Sequence, residues 1–290
     1  MRQISEAIKA TVGHPGPIGV FDSGYGGLTI LRELRRALPD ADFIYLGDNA
    51  RAPYGTRSFD LVYHFPLEAV RYLFARGCQL VILACNTASA KALRSIQQHD
   101  LPGIDPSRRV LGVIRPTAEI IGDYTQSRHV GLFGTPGTVT SQSYDMELAK
   151  LHPDITFTAH ACPMWVPLVE NLEADGPGAD YFVEKEVDAL LKSDPAIDTI
   201  ILGCTHYPLL YDKIRAYVPQ GIEILRQGSI VATSLLDYLR RHPEMERLIT
   251  RGGTLELLTT EEADKFSGLA TIFMGEPSTA VRVNDLSAPL

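Results

Sequence analysis

"VILACNTAS" (residues 81–89) and "TIILGCTHYP" (199–208) are two versions of one pattern. In each, an apolar run of strand length ends in a cysteine, followed by small hydroxylated or polar residues. A continuous apolar run bounded by turn-forming residues fits a strand of a parallel sheet covered on both faces. Each cysteine then stands at the carboxyl end of its strand, the edge at which open parallel sheets bind ligands.

The same punctuation recurs along the chain. Strands are expected at 18–22, 42–47, 78–84, 109–114, 129–134, 155–161, 198–203 and 222–225, with helical periodicity at 28–38, 59–76 and 88–99 between them. Alternating β and α segments of this kind give an α/β fold with mainly parallel sheets. A second echo joins "IGVFDSGYGG" (18–27) to "VGLFGTPGTV" (130–139): glycine, an apolar residue, phenylalanine, then a turn of glycine and small polar residues. Two echoes in the same order read as two related halves with a cleft between them. Beyond residue 250, strands are expected at "TLELLTT" (254–260) and "LATIFMG" (269–275), and "PSTAVRVNDLSAPL" reads as a docked or loose tail.

Composition narrows the function. At 290 residues, 45% hydrophobic and 21% charged, the chain is that of an ordinary folded protein, and two domains suit its length. A net charge of −8 disfavours nucleic acid and anionic membranes as partners. The first 17 residues hold no long apolar core, so neither an export signal nor an anchor is expected there, and the address is cytoplasmic. In a reducing compartment Cys78, Cys85, Cys162 and Cys204 are expected as free thiols. No C-x-x-C pair is present, which argues against a structural zinc site.

A cysteine beside a helix N-terminus is pulled toward thiolate, whereas apolar burial pushes the other way. Asn86, Thr87 and Thr205 are placed to cap the following helices and to donate to a ligand carboxylate. Two thiols on opposite walls of one cleft suit a reaction that removes a proton from one face of a carbon and returns one to the other. The bland alternative for any one cysteine is a small hydrophobe ending a strand. Cys78, which opens a strand, is read that way.

"FDSGYGGLTILRELRRALPDADFIYLGDNARAPYG" (21–55), "ACNTASA" (84–90), "CPMWVPLVE" (162–170) and "LGCTHYPLL" (202–210) together resemble glutamate racemase, across about residues 17–240. That family makes D-glutamate for peptidoglycan without a cofactor. The resemblance implies two α/β domains, 1–112 with 226–290 and 113–225, around an interdomain active site. It implies Cys85 as the starting base for the D-enantiomer and Cys204 for the L-enantiomer. Asp22 matches the acid beside the first cysteine, and Glu170 with His206 matches the acid–histidine pair assisting the second. For substrate binding it points to Asp22, Ser23, Tyr54, Gly55, Asn86, Thr87, Thr205 and His206. Thr135 and Thr138 join them as the second half's echo of the first turn. It further implies glutamate as substrate, no cofactor, no metal, a homodimer, and in some members a cell-wall-precursor activator. An aspartate racemase of the same superfamily is the nearest alternative, although such relatives tend to carry an acid where this chain has His206. A two-lobed amino-acid-binding protein without turnover is the alternative from another class, and it would have no use for paired thiols.

Overall fold

The computed structural model describes residues 2–287. Among the described residues, ten strands build two sheets in which every ladder is parallel. They are β1 (Ile18–Asp22), β2 (Phe43–Gly47), β3 (Leu80–Leu83), β4 (Arg109–Gly112), β5 (His129–Gly134), β6 (Thr156–Ala161), β7 (Thr199–Gly203), β8 (Glu223–Arg226), β9 (Leu255–Thr259) and β10 (Ala280–Arg282). The first sheet runs β10-β9-β2-β1-β3-β4 and the second β6-β5-β7-β8. Strands β1, β2, β3 and β7 are buried at every residue, which is why their sequences are apolar without alternation. The edge strand β6, "TFTAHA", is half-buried or exposed and correspondingly mixed.

The order β2-β1-β3-β4 is repeated as β6-β5-β7-β8, so the echo in the sequence is an echo in topology. In both sheets the chain winds one way from the first strand of the unit and then reverses. That places a switch-point crevice between β1 and β3 and another between β5 and β7. The four echoing turns all leave from those strands.

Aromatic packing braces the second half beside the crevice. Trp165 is fully buried, with its ring 4.8 Å from Phe133 and 4.9 Å, edge-on, from Tyr207. Such pairs contribute about 0.5–1.5 kcal/mol each beyond area burial. They join the helix Trp165–Glu170 to the turn after β7, and so bring Glu170 toward His206.

One segment departs from expectation. "LATIFMG" is not a strand but the end of the helix Ala263–Met274. Phe266, Ala270, Phe273 and Met274 are its buried residues, at helical spacing, and an apolar run of that length has no period to tell the two apart. Ahead of β1, the helix Arg2–Ala10 is held down by the fully buried Arg108. Its guanidinium donates to the carbonyls of Ile8, Phe74 and Cys78 and ion-pairs with Asp105. The tail is docked as far as β10, which pairs with β9, and residues 288–290 lie outside the described range. Among the described residues no helix is long and apolar enough to cross a membrane.

Candidate active site

Asp22, the last residue of β1, is fully buried. Its Oδ1 accepts from the Gly24 N–H at 2.9 Å, and its Oδ2 accepts from Thr205 Oγ1, 3.4 Å away on the second half. Burial pushes this carboxyl above the ordinary range, and the nearby His206 and the N–H groups of Gly24 and Gly27 draw it partly back. The turn that follows must carry glycine. A Cβ on Gly26 would stand 2.2 Å from Thr205 Oγ1 and 2.5 Å from His206 Nδ1.

Cys85 follows β3 and is the N-cap of the helix Asn86–Lys91, its sulfur accepting from the Ala88 N–H at 3.4 Å. Its thiol donates to Ser23 Oγ at 3.5 Å. Burial, reinforced by the Asp22 charge and only partly offset by Ser23 and Ala88, pushes the thiol up to about 12. At neutral pH Cys85 therefore keeps its proton.

The other side is built differently. Cys204, in the turn after β7, has its sulfur 3.8 Å from His206 Nδ1, and His206 Nε2 is 2.9 Å from Glu170 Oε1. Burial lowers the imidazole pKa, but the hydrogen bonds and charges of Cys204 and Glu170 outweigh it and hold the ring up to about 10. His206 is thus an imidazolium at neutral pH, set against the Cys204 sulfur. Both cysteines are 6% exposed and line one cavity of about 90 Å³.

The remaining predicted residues are gathered at that cavity, with different freedoms. Ser23, Gly55, Thr87, Thr135, Thr205 and His206 are on its wall. Thr87 Oγ1 lies 2.9 Å from Thr135 Oγ1 and 3.3 Å from Thr138 Oγ1, a hydroxyl cluster that spans the two halves. The Gly137 N–H donates to Gly55 O at 2.8 Å, also across the halves. Tyr54 is on the wall, but its hydroxyl is spent on Asp48 Oδ2. Asn86 is on the wall too, with its carboxamide bonded to Gln227 and Tyr144. Asp22 lies behind the wall, within reach through Thr205.

Sequence reasoning missed three contributors. Cys162 opens the motif "CPMWVPLVE" and lines the cavity, although its flanks differ from those of the other two cysteines. Asp48, in "GDNARAPYG", anchors both Tyr54 and Arg51, the latter at 2.6 Å. Gln227 carries no motif, and its contacts are to residues far away in the chain. Cys78, by contrast, is buried among apolar residues of the first half, as its place at the head of a strand suggests. All four cysteines are free, and among the described residues no group of three or more His, Cys, Asp or Glu is placed to share a metal ion.

Comparison with known proteins bears on this arrangement. The profile of the Asp/Glu/Hydantoin racemase family matches residues 18–235. A glutamate racemase of Ruegeria sp. (strain TM1040) is 43% identical over 267 residues, 89% of this chain and 96% of that protein. The crystal structure of glutamate racemase isoform RacE1 from Bacillus anthracis superposes with a TM-score of 0.85 at 33% identity, covering 94% of this chain and 98% of that one. The glutamate racemase of Francisella tularensis, solved in complex with D-glutamate, gives 0.82 at 28% identity over 93% and 97%. The chain belongs to the Asp/Glu/Hydantoin racemase family, among its glutamate racemases.

Proposed function

We propose that this enzyme interconverts L- and D-glutamate in the cytoplasm by two-thiol proton transfer, without a cofactor, and so supplies D-glutamate for peptidoglycan. The observation that carries the mechanism is that two cysteines from matching strand ends line one cavity in unlike surroundings, Cys85 against Ser23 and the Ala88 N–H, and Cys204 against His206. The substrate's two carboxylates would be met by the hydroxyls of Ser23, Thr87, Thr135 and Thr205 and by loop N–H groups, so that neither anion is buried unpaired. With L-glutamate, the Cys204 sulfur, as thiolate beside the His206 imidazolium, takes the α-proton. Cys85, held as the thiol, gives its proton to the opposite face of the same carbon. Cys204 is then the thiol and Cys85 the thiolate, the form from which D-glutamate is converted back. The buried Asp22 and the Glu170–His206 pair are the groups through which the two forms exchange protons with the surroundings. Exclusion of water around bound substrate strengthens the fixed dipoles at the developing carbanion.

The reading assigns 113–225 to one lobe and 1–112 with 226–290 to the other. Support comes from the strands, since β5–β8 make one sheet and β1–β4 with β9 and β10 the other. As partners beyond glutamate it takes a second copy of the chain, and in the manner of some relatives a cell-wall-precursor activator, both on the strength of family likeness alone.

Circular dichroism of L-glutamate with purified enzyme and no added cofactor tests the proposal. The glutamate signal should decay to zero, L-aspartate should be left intact, and Cys85→Ala or Cys204→Ala should each abolish the decay. A wild type that leaves glutamate unchanged, or full activity in either variant, would overturn it.

A further inference from the structure

Gln227 lies where the chain turns back from β8 toward the first sheet, as the first residue of the helix Gln227–Arg241. Its carboxamide is 3% exposed, and both of its polar atoms are bonded. Oε1 accepts from Asn86 Nδ2 at 2.6 Å. Nε2 donates to Tyr144 OH at 2.8 Å and to Thr117 Oγ1 at 2.9 Å. Tyr144 OH donates in turn to Asn86 Oδ1 at 2.7 Å. Asn86, Gln227 and Tyr144 thus close a ring in which each gives one hydrogen bond and accepts one. Reversing the Gln227 amide would set donor against donor, and reversing that of Asn86 acceptor against acceptor. Thr117 Oγ1 donates to the carbonyl of Val113 at 3.1 Å, directly after β4, where the chain first leaves the first sheet. Gln227 therefore ties together both crossings between the sheets and ends on Asn86, the residue after Cys85. It is not on the cavity wall, and none of its bonds reaches Cys204, His206 or Glu170.

We propose that Gln227 is a positioning residue for the Cys85 half of the reaction. It fixes the Asn86 carboxamide and the first turn of the helix capped by Cys85, and so sets the approach of that sulfur to the α-carbon, while the Cys204 side is held independently. The inference rests on the two-thiol reading above. Proton transfer depends steeply on such placement, and opening the ring leaves buried polar atoms of Asn86 and Tyr144 short of partners.

A racemase has an equilibrium constant of one by symmetry, so kcat/KM must fall equally in both directions whichever transfer is slowed. Isotope effects separate the two. With D-glutamate, Cys85 breaks the Cα–H bond; with L-glutamate, Cys204 breaks it and Cys85 delivers a solvent-derived proton. A slower Cys85 step therefore raises the α-deuterium effect on kcat/KM for D-glutamate and lowers it for L-glutamate.

The test is Gln227→Met, which keeps length and removes the amide, assayed with α-protiated and α-deuterated glutamate of each hand. We expect kcat/KM to drop about ten-fold and the two isotope effects to diverge in the stated sense. A loss of rate with both isotope effects unmoved, divergence in the opposite sense, or an unchanged rate would overturn the inference. Should Gln227→Met fail to fold, Tyr144→Phe opens the same ring by one oxygen and carries the same expectations. A wild type inactive on glutamate would sink the underlying reading; an active wild type with unmoved isotope effects in the variants sinks this inference alone.

Discussion

Glu170→Gln removes one negative charge 2.9 Å from His206 Nε2 and keeps the side chain's shape. Burial alone would lower the His206 pKa from its ordinary 6.5, yet the ring is held up to about 10 by Cys204 and Glu170. A hydrogen bond to a charged group contributes about 1.5–3 kcal/mol. Glu170 is 24% exposed, so solvent screening favours the lower end, and at about 1.4 kcal/mol per unit the histidine should fall by about one unit. A folded pKa above the unfolded one gives stability that is complete below about pH 6.5 and is lost as pH rises through about 10. The variant should therefore be less stable than wild type by about 1–2 kcal/mol near pH 6, and the deficit should shrink toward zero by pH 10.5. Urea unfolding of both proteins across that range is the assay. A deficit that stays constant with pH, or grows, would refute the claim that the pair holds a charged imidazolium.

Two further outcomes follow from the same geometry. Gly26→Ala puts a methyl group within 2.5 Å of both Thr205 Oγ1 and His206 Nδ1, so turnover should fall at least about ten-fold while far-ultraviolet dichroism stays native; unchanged turnover would contradict the close approach. Alkylation of Cys85 by iodoacetamide, followed by peptide mass spectrometry, should speed up with pH to at least pH 10 without a plateau, because its thiolate fraction keeps rising toward about 12. A plateau by pH 9 would show that burial and Asp22 do not raise that thiol as described.

Much of this was legible in the chain itself, for physical reasons. Strands buried on both faces have to be apolar throughout, so β1, β3, β5 and β7 announced themselves, and the doubled turn patterns at their ends carried the topology. The helix Ala263–Met274 was misread because "LATIFMG" is apolar at both helical and strand periods, and Phe266, which shows the helical spacing, lies ahead of that run. Within the site, the residues that meet the cavity through their own turn were legible, Cys85, Cys204 and Thr205 among them, with Asp22 behind them. What side chains do at a distance was not. Asn86 is bonded to Tyr144 and Gln227, which lie 58 and 141 positions further along the chain. No local pattern records contacts of that separation.

The central claim is that separate thiols serve the two faces of the α-carbon. Its most direct test is the position of deuterium during the first few per cent of conversion of L-glutamate in D2O. The D-glutamate formed should carry solvent deuterium at the α-carbon while the unconverted L-glutamate remains protiated, because the base that takes the proton is not the acid that returns one. D-glutamate that retains the substrate's own hydrogen, or deuterium entering recovered L-glutamate as fast as product forms, would point to a single base and contradict it.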